Sequence, residues 1–126
     1  MSEKTLWNFM KKKGIRGVRL ENCSCKGIPD LITVYNKKTC FIELKDWTKK
    51  PLHPLSAEQH AFLKVYNGVV LIQMSENIHV CEPSKVLVSP SDGDIESWLV
   101  RNSYSMKKSE LNGESLFWAT VAICGD

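Results

Sequence analysis

The stretch from Gly27 to Lys45, GIPDLITVYNKKTCFIELK, constrains this chain more than any other. Two short runs rich in β-branched and aromatic residues, Leu31 to Tyr35 and Thr39 to Lys45, flank a polar turn at Asn36, Lys37 and Lys38. That pattern predicts a β-hairpin. Side chains alternate along a strand, so Phe41, Glu43 and Lys45 share one face of the second strand, while Cys40, Ile42 and Leu44 share the other. Asp30 stands at the mouth of the first strand, behind a glycine and a proline that restrict the approach. Two carboxylates and an ammonium therefore converge where two adjacent strands end. Such a group suits a hard divalent cation and a phosphate. The bland alternative is an exposed Glu43–Lys45 ion pair, which contributes only ~0–1 kcal/mol.

The rest of the chain supplies a setting for this hairpin. A length of 126 residues fits one domain with a real core. No apolar run approaches the about 20 residues of a membrane span, and the polar first helix lacks the apolar core of an export signal. We expect no membrane partner and no export. Net charge is +3, but it is unevenly spread: residues 1–50 hold 12 Lys or Arg against 5 Asp or Glu, and the remainder hold 5 against 9. A basic half containing paired carboxylates suggests a polyanion led toward a metal. Lysines covering a solvated surface give the same count.

Residues 2–13 predict an amphipathic helix carrying Leu6, Trp7, Phe9 and Met10 on its apolar side, with Glu3 in the first turn, where a carboxylate suits the helix dipole. Val18 to Leu20 predict a strand between Arg16 and Arg19, and a polar loop containing Lys26 leads into the hairpin. The following connection, DWTKKPLHPL, carries Trp47, Lys49, Lys50 and His53. It can run along a nucleic-acid backbone and offer Trp47 for stacking, or it can fold Trp47 over the core. Ser56 to Gln59 is a capping box that starts a second helix, which Asn67-Gly68 stops. Val69 to Met74 and Ile78 to Cys81 predict two more strands. Asp92 or Asp94 caps a helix through Trp98 and Leu99. Tyr104 to Glu114 reads as irregular or weakly helical, and Ser115 to Cys124 as a final strand. The order predicts a small α/β or α+β domain. Within one domain, 1–126, a core of about 2–83 carries an elaboration at 84–126. The five cysteines read as reduced core thiols; a zinc site from Cys23, Cys25, Cys81 and His79 is the alternative, without the usual two-residue gap.

Glu3, Gly27-Ile28-Pro29-Asp30, Glu43-Leu44-Lys45, and Leu55-Ser56 with Gln59 together resemble the virus-type replication-repair nuclease (VRR-NUC) domain of the PD-(D/E)xK nuclease superfamily. The resemblance spans roughly Ser2 to Val80. It implies a restriction-endonuclease-like fold, a mixed sheet flanked by helices, followed here by a C-terminal helix and strand. It implies Asp30 and Glu43 as ligands of Mg²⁺ or Mn²⁺, joined by the backbone carbonyl of Leu44. Lys45 becomes the catalytic lysine, with Glu3 and Gln59 as supporting residues; Gln59 would hold a water or the metal shell. The implied activity is hydrolysis of DNA phosphodiesters, on branched or Holliday-junction (four-way) DNA, by a homodimer in the cytoplasm of a phage-infected bacterial host. Around that site Arg19, Lys26, Trp47, Lys49 and Lys50 are the expected DNA contacts. Two other classes compete. A DNA-binding accessory module explains the basic half with structural carboxylates. A small structural interaction protein explains the charge but not the convergent polar groups.

Overall fold

The computed structural model describes residues 3–20, 27–50, 52–88 and 93–125. The hairpin forms as its sequence predicts. Strands β2 (Leu31–Tyr35) and β3 (Lys38–Asp46) pair antiparallel from Leu31↔Ile42 to Tyr35↔Lys38. Asn36 and Lys37 turn the chain with φ of 51° and 68°. Two successive positive φ values are those of a type I′ turn, whose twist matches the strands it joins.

Around the hairpin, six strands lie in sequence order, β1 (Arg16–Arg19) through β6 (Tyr104–Lys107). Every neighbouring pair is antiparallel except β3 with β4 (Val69–Met74). That parallel step needs a crossover, supplied by helix α2 (Ala57–Val65). The expected mixed sheet flanked by helices is therefore present, with helix and strand additions at its C-terminal side.

Alternation along β3 and β4 divides the core into two layers. Ile42, Leu44, Val69 and Leu71 pack with Leu6 and Met10 of α1 (Glu3–Lys12) and with Leu116 and Ala119 of α4 (Gly113–Cys124). On the opposite face Val70, Ile72 and Trp47 pack with Leu63 of α2 and Leu99 of α3 (Ile95–Asn102). β4 is buried on both faces, and its first four residues, Val69 to Ile72, read accordingly as a continuous apolar run.

Two expectations fail in the C-terminal part. Ser115 to Cys124 is not a strand but most of α4. Asn112 caps this helix by accepting from Ser115 N at 2.8 Å, and Gly125 ends it at φ 72°. Leu116, Ala119 and Thr120 are its buried residues, and their spacing of three and four is helical. Within Tyr104 to Glu114, residues 104–107 form edge strand β6 against β5 (Asn77–Cys81). Its side chains are mostly exposed, so polarity there marks an edge rather than a loop. Asp94, not Asp92, is the seen cap of α3; Asp92 lies outside the described residues, as do Lys26 and the cysteines at 23 and 25. Cys40, Cys81 and Cys124 are free thiols. Burial pushes the first two up to about 12, which leaves them inert rather than metal-ready.

Candidate active site

β3 outruns its partner. The ladder with β2 closes at Leu31↔Ile42, so beyond that point β3 turns an unladdered edge toward Asp30. The Asp30 carboxylate fills the gap, accepting from Leu44 N at 2.8 Å through Oδ2. A strand residue directs its N–H and C=O to the same edge, so the Leu44 carbonyl faces Asp30 as well. The backbone of Asp30 is held in turn, its carbonyl accepting from Leu20 N at 2.8 Å. Burial raises the Asp30 carboxyl above its ordinary value; the Leu44 N–H, the charges of Lys45 and Arg19, and the Glu43 side chain oppose that rise.

Glycine is required just upstream. Gly27 has φ 86°, and a Cβ there would stand 2.6 Å from the carbonyl carbon and oxygen of Glu58. The loop entering β2 thus crosses the first turn of α2 in backbone contact, bringing Asp30 and α2 together.

Glu43 is only 4% exposed, although its side chain is ionisable. Lys45 Nζ lies 3.7 Å from Glu43 Oε2, with the two side chains 12% and 5% exposed. This is not the solvated surface pair of the bland reading. Withdrawing charge from water costs several kcal/mol unless it is matched by partners, and buried charge clusters of this kind concentrate at functional sites. Gln59 supplies a further partner: its Nε2 donates to Glu43 Oε2 at 2.9 Å, while its Oε1 accepts from Ser56 N at 3.0 Å and its N–H donates to Ser56 Oγ at 3.1 Å. The capping box read from the sequence is real, and the same amide reaches the carboxylate.

Asp30, Leu44, Glu43, Lys45 and Gln59 are therefore brought together, and Arg19 stands close enough to act on Asp30. Glu3 opens α1, but its side chain lies outside what is described. Trp47 corrects one expectation. It is 1% exposed, packs in the core layer with Leu63, and donates from Nε1 to the carbonyl of His53 at 3.1 Å. It does not face a nucleic acid. Instead it pins the connection that follows β3, so that the neighbouring Lys49 and Lys50 are held out in solvent. That role was legible only as one of two options, because burial of a tryptophan in a proline-rich connection depends on distant residues.

Among the described residues, no group of three or more His, Cys, Asp or Glu side chains gathers where a metal ion could be held. Among the described residues, the site's carboxylates are Asp30 and Glu43. With the Leu44 carbonyl it makes an all-oxygen set, the donor chemistry that Mg²⁺ and Mn²⁺ favour. Such a set fits a magnesium-type ion that keeps several waters, and does not resemble a closed structural zinc site.

No protein-family profile matches the chain, and no curated protein does. Among solved structures, the chain is similar to Hjc from Archaeoglobus fulgidus, a Holliday junction resolvase from an archaeal hyperthermophile, with a TM-score of 0.50, 16% identity, and coverage of 85% of this chain and 86% of that one. What the two share is a fold. The narrower likeness to the VRR-NUC branch rests on the sequence motifs alone. No helix among the described residues is long and apolar enough to cross a membrane.

Proposed function

We propose that residues 1–126 form one nuclease domain, a Mg²⁺- or Mn²⁺-dependent DNA endonuclease of PD-(D/E)xK type that acts on branched or four-way-junction DNA as a homodimer. One observation carries the reading: the buried carboxylate of Glu43, the half-buried one of Asp30, a lysine and a glutamine amide converge at the open end of a hairpin. Fold likeness to a junction resolvase supports the substrate class, and the VRR-NUC motifs support the assignment of each residue.

In this reading Asp30, Glu43 and the Leu44 carbonyl hold the ion. When bound, it would supply positive charge to the phosphate and make a bound water more acidic. The chain's own residues do the rest. Lys45, fixed beside Glu43, places an ammonium against the phosphodiester and orients the attacking water. Preorganised charge of that kind acts on the extra negative charge of the transition state. Arg19, Lys26, Lys49 and Lys50 contact phosphates, which positions the duplex without reading its bases. Gln59 and Glu3 support the carboxylates.

The test pairs a substrate panel with substitutions. Linear, flapped and four-way DNA are incubated with magnesium, manganese or chelator, using the wild-type protein, Asp30→Asn, Glu43→Gln and Lys45→Ala. We expect metal-dependent cleavage, strongest on branched DNA, falling at least ~100-fold in each variant, with metal binding kept in Lys45→Ala. Wild-type rates in both carboxylate variants would refute the site. Salt-sensitive binding without cleavage of any substrate would instead support the accessory-module reading.

A further inference from the structure

The side-chain amide of Gln59 is held from both ends, and the two ends agree. Its Oε1 takes the Ser56 N–H at 3.0 Å and its Nε2 gives to Glu43 Oε2 at 2.9 Å. A backbone N–H can only donate, so the Gln59 oxygen must face Ser56 and its nitrogen Glu43. Turning the amide over would set nitrogen against the Ser56 N–H, and that bond would be lost and replaced by a repulsion.

The anchor behind the amide is itself fixed. Ser56 has φ −73° and ψ 163°, its Oγ accepts from Gln59 N, and Leu55 before it donates its N–H to the Val86 carbonyl at 2.8 Å. Lys45 addresses the same Glu43 oxygen as Gln59 does. A hydrogen bond from α2 and an ammonium from β3 thus converge on one oxygen and restrain the rotation of that carboxylate.

We propose that Ser56 and Gln59 form an orientation lock on Glu43. The N-terminal cap of α2 converts Gln59 into a dedicated donor, which positions the carboxylate and turns the Gln59 oxygen toward Ser56 rather than toward Glu43. Gln59 is then a positioning residue and not a ligand, contrary to the expectation that it holds a water or the metal shell. The catalytic consequence rests on the nuclease reading; the lock itself does not.

Gln59→Glu separates the two jobs of this side chain. A Ser-x-x-Glu sequence makes a capping box as well as Ser-x-x-Gln does, so the start of α2 and the bond from Ser56 N survive. The donor to Glu43 is replaced by a second carboxylate. If the cap were the whole role, both thermal midpoint and cleavage would be unchanged. If the Gln59 oxygen were a ligand, a carboxylate would serve as well or better. The lock predicts a kcat lowered at least ~10-fold with little change in KM for DNA, beside a thermal midpoint lowered by the like-charge contact with Glu43. A wild-type kcat in Gln59→Glu overturns the proposal.

A second arm needs no activity. The chain has two glutamines, Gln59 and Gln73, so their side-chain amide resonances are assignable in the metal-free protein. We expect the two Gln59 Nε2 protons to be well separated and slow to exchange. In Ser56→Pro they should move toward free-glutamine values, because proline tolerates φ near −73° but lacks the N–H. Free-glutamine resonances for Gln59 in the wild-type protein overturn the lock. A locked amide in a protein that cuts none of the panel upholds the lock and removes the nuclease reading instead.

Discussion

His79 shows what a buried titratable residue does away from the carboxylates. It sits on β5, 2% exposed, with Nδ1 at 2.7 Å from Ser105 Oγ on the paired strand. Burial lowers its pKa from 6.5 to about 4. The folded protein therefore binds this proton less readily than the unfolded chain, and the unfolded state gains protons first as pH falls. Stability contributed by the neutral ring is complete above about pH 6.5 and is lost progressively toward pH 4. The difference corresponds to about 3 kcal/mol at most. We expect urea unfolding midpoints to drop across that window, and His79→Leu to flatten the drop, since a leucine has no proton to bind, even though it deprives the Ser105 hydroxyl of its ring partner. An unchanged slope in His79→Leu would assign the acid sensitivity to other groups. The sequence offers His79 only as a candidate zinc ligand, and its burial is not legible from an alternating strand alone. Glu43, by contrast, was legible: its spacing from Lys45 placed both on one face, and Asp30 behind Gly27 and Pro29 singled out the end of the strand. What the spacing could not show was the degree of burial, which depends on how α2 closes over that face.

Between elements, the decisive contact is that of the loop before β2 with the first turn of α2. Gly27 is required there on two counts, a left-handed φ of 86° and a missing Cβ that would lie 2.6 Å from the Glu58 backbone. Gly27→Ala cannot satisfy both without displacing the loop or the helix. The strained conformation alone costs about 1–3 kcal/mol, and the displacement separates Asp30 from Glu43 and Gln59. We expect the variant to fold with a lowered thermal midpoint and to lose cleavage out of proportion to its loss of folded protein. Activity that follows the folded fraction alone would mean that Gly27 serves stability only. The hairpin, α2 and the strands β4 and β5 were legible within one or two residues, because each carries a local signal: a turn with alternating flanks, a capping box, an apolar run. The helical nature of α4 is hidden in the sequence for a physical reason. Leu116 to Cys124 is apolar nearly all round, so a strand-like run masks its period, and the telling signals were the flanking Asn112, Ser115 and Gly125.

On the scale of the whole molecule, the C-terminal additions bear on how two active sites would be paired. Symmetrical cutting of a four-way junction needs two opposed incisions, and two-fold pairing supplies them from one gene product. Trp98, Leu99, Phe117, Trp118 and Val121 are large apolar side chains of that part, but the fold uses most of them within the chain. Leu99 is fully buried, Trp98 packs against the α2–α3 core layer, and Phe117 stacks at 5.0 Å on Tyr35. Trp118 is different: it is 54% exposed on the outer side of α4, in edge contact with Phe117. A large aromatic presented by a helix that already covers its own core is the kind of group that anchors an interface. An ordinary interface buries ~1,600 Å² in total and holds a pair together at micromolar concentration. We therefore expect sedimentation equilibrium to give a mass of two chains, with and without junction DNA, and Trp118→Glu to shift it toward one chain while the far-ultraviolet spectrum stays that of the folded protein. The variant should still nick single strands of a junction but lose coordinated double incision. A single-chain mass at every concentration would end the paired-site proposal even if the nuclease activity were established.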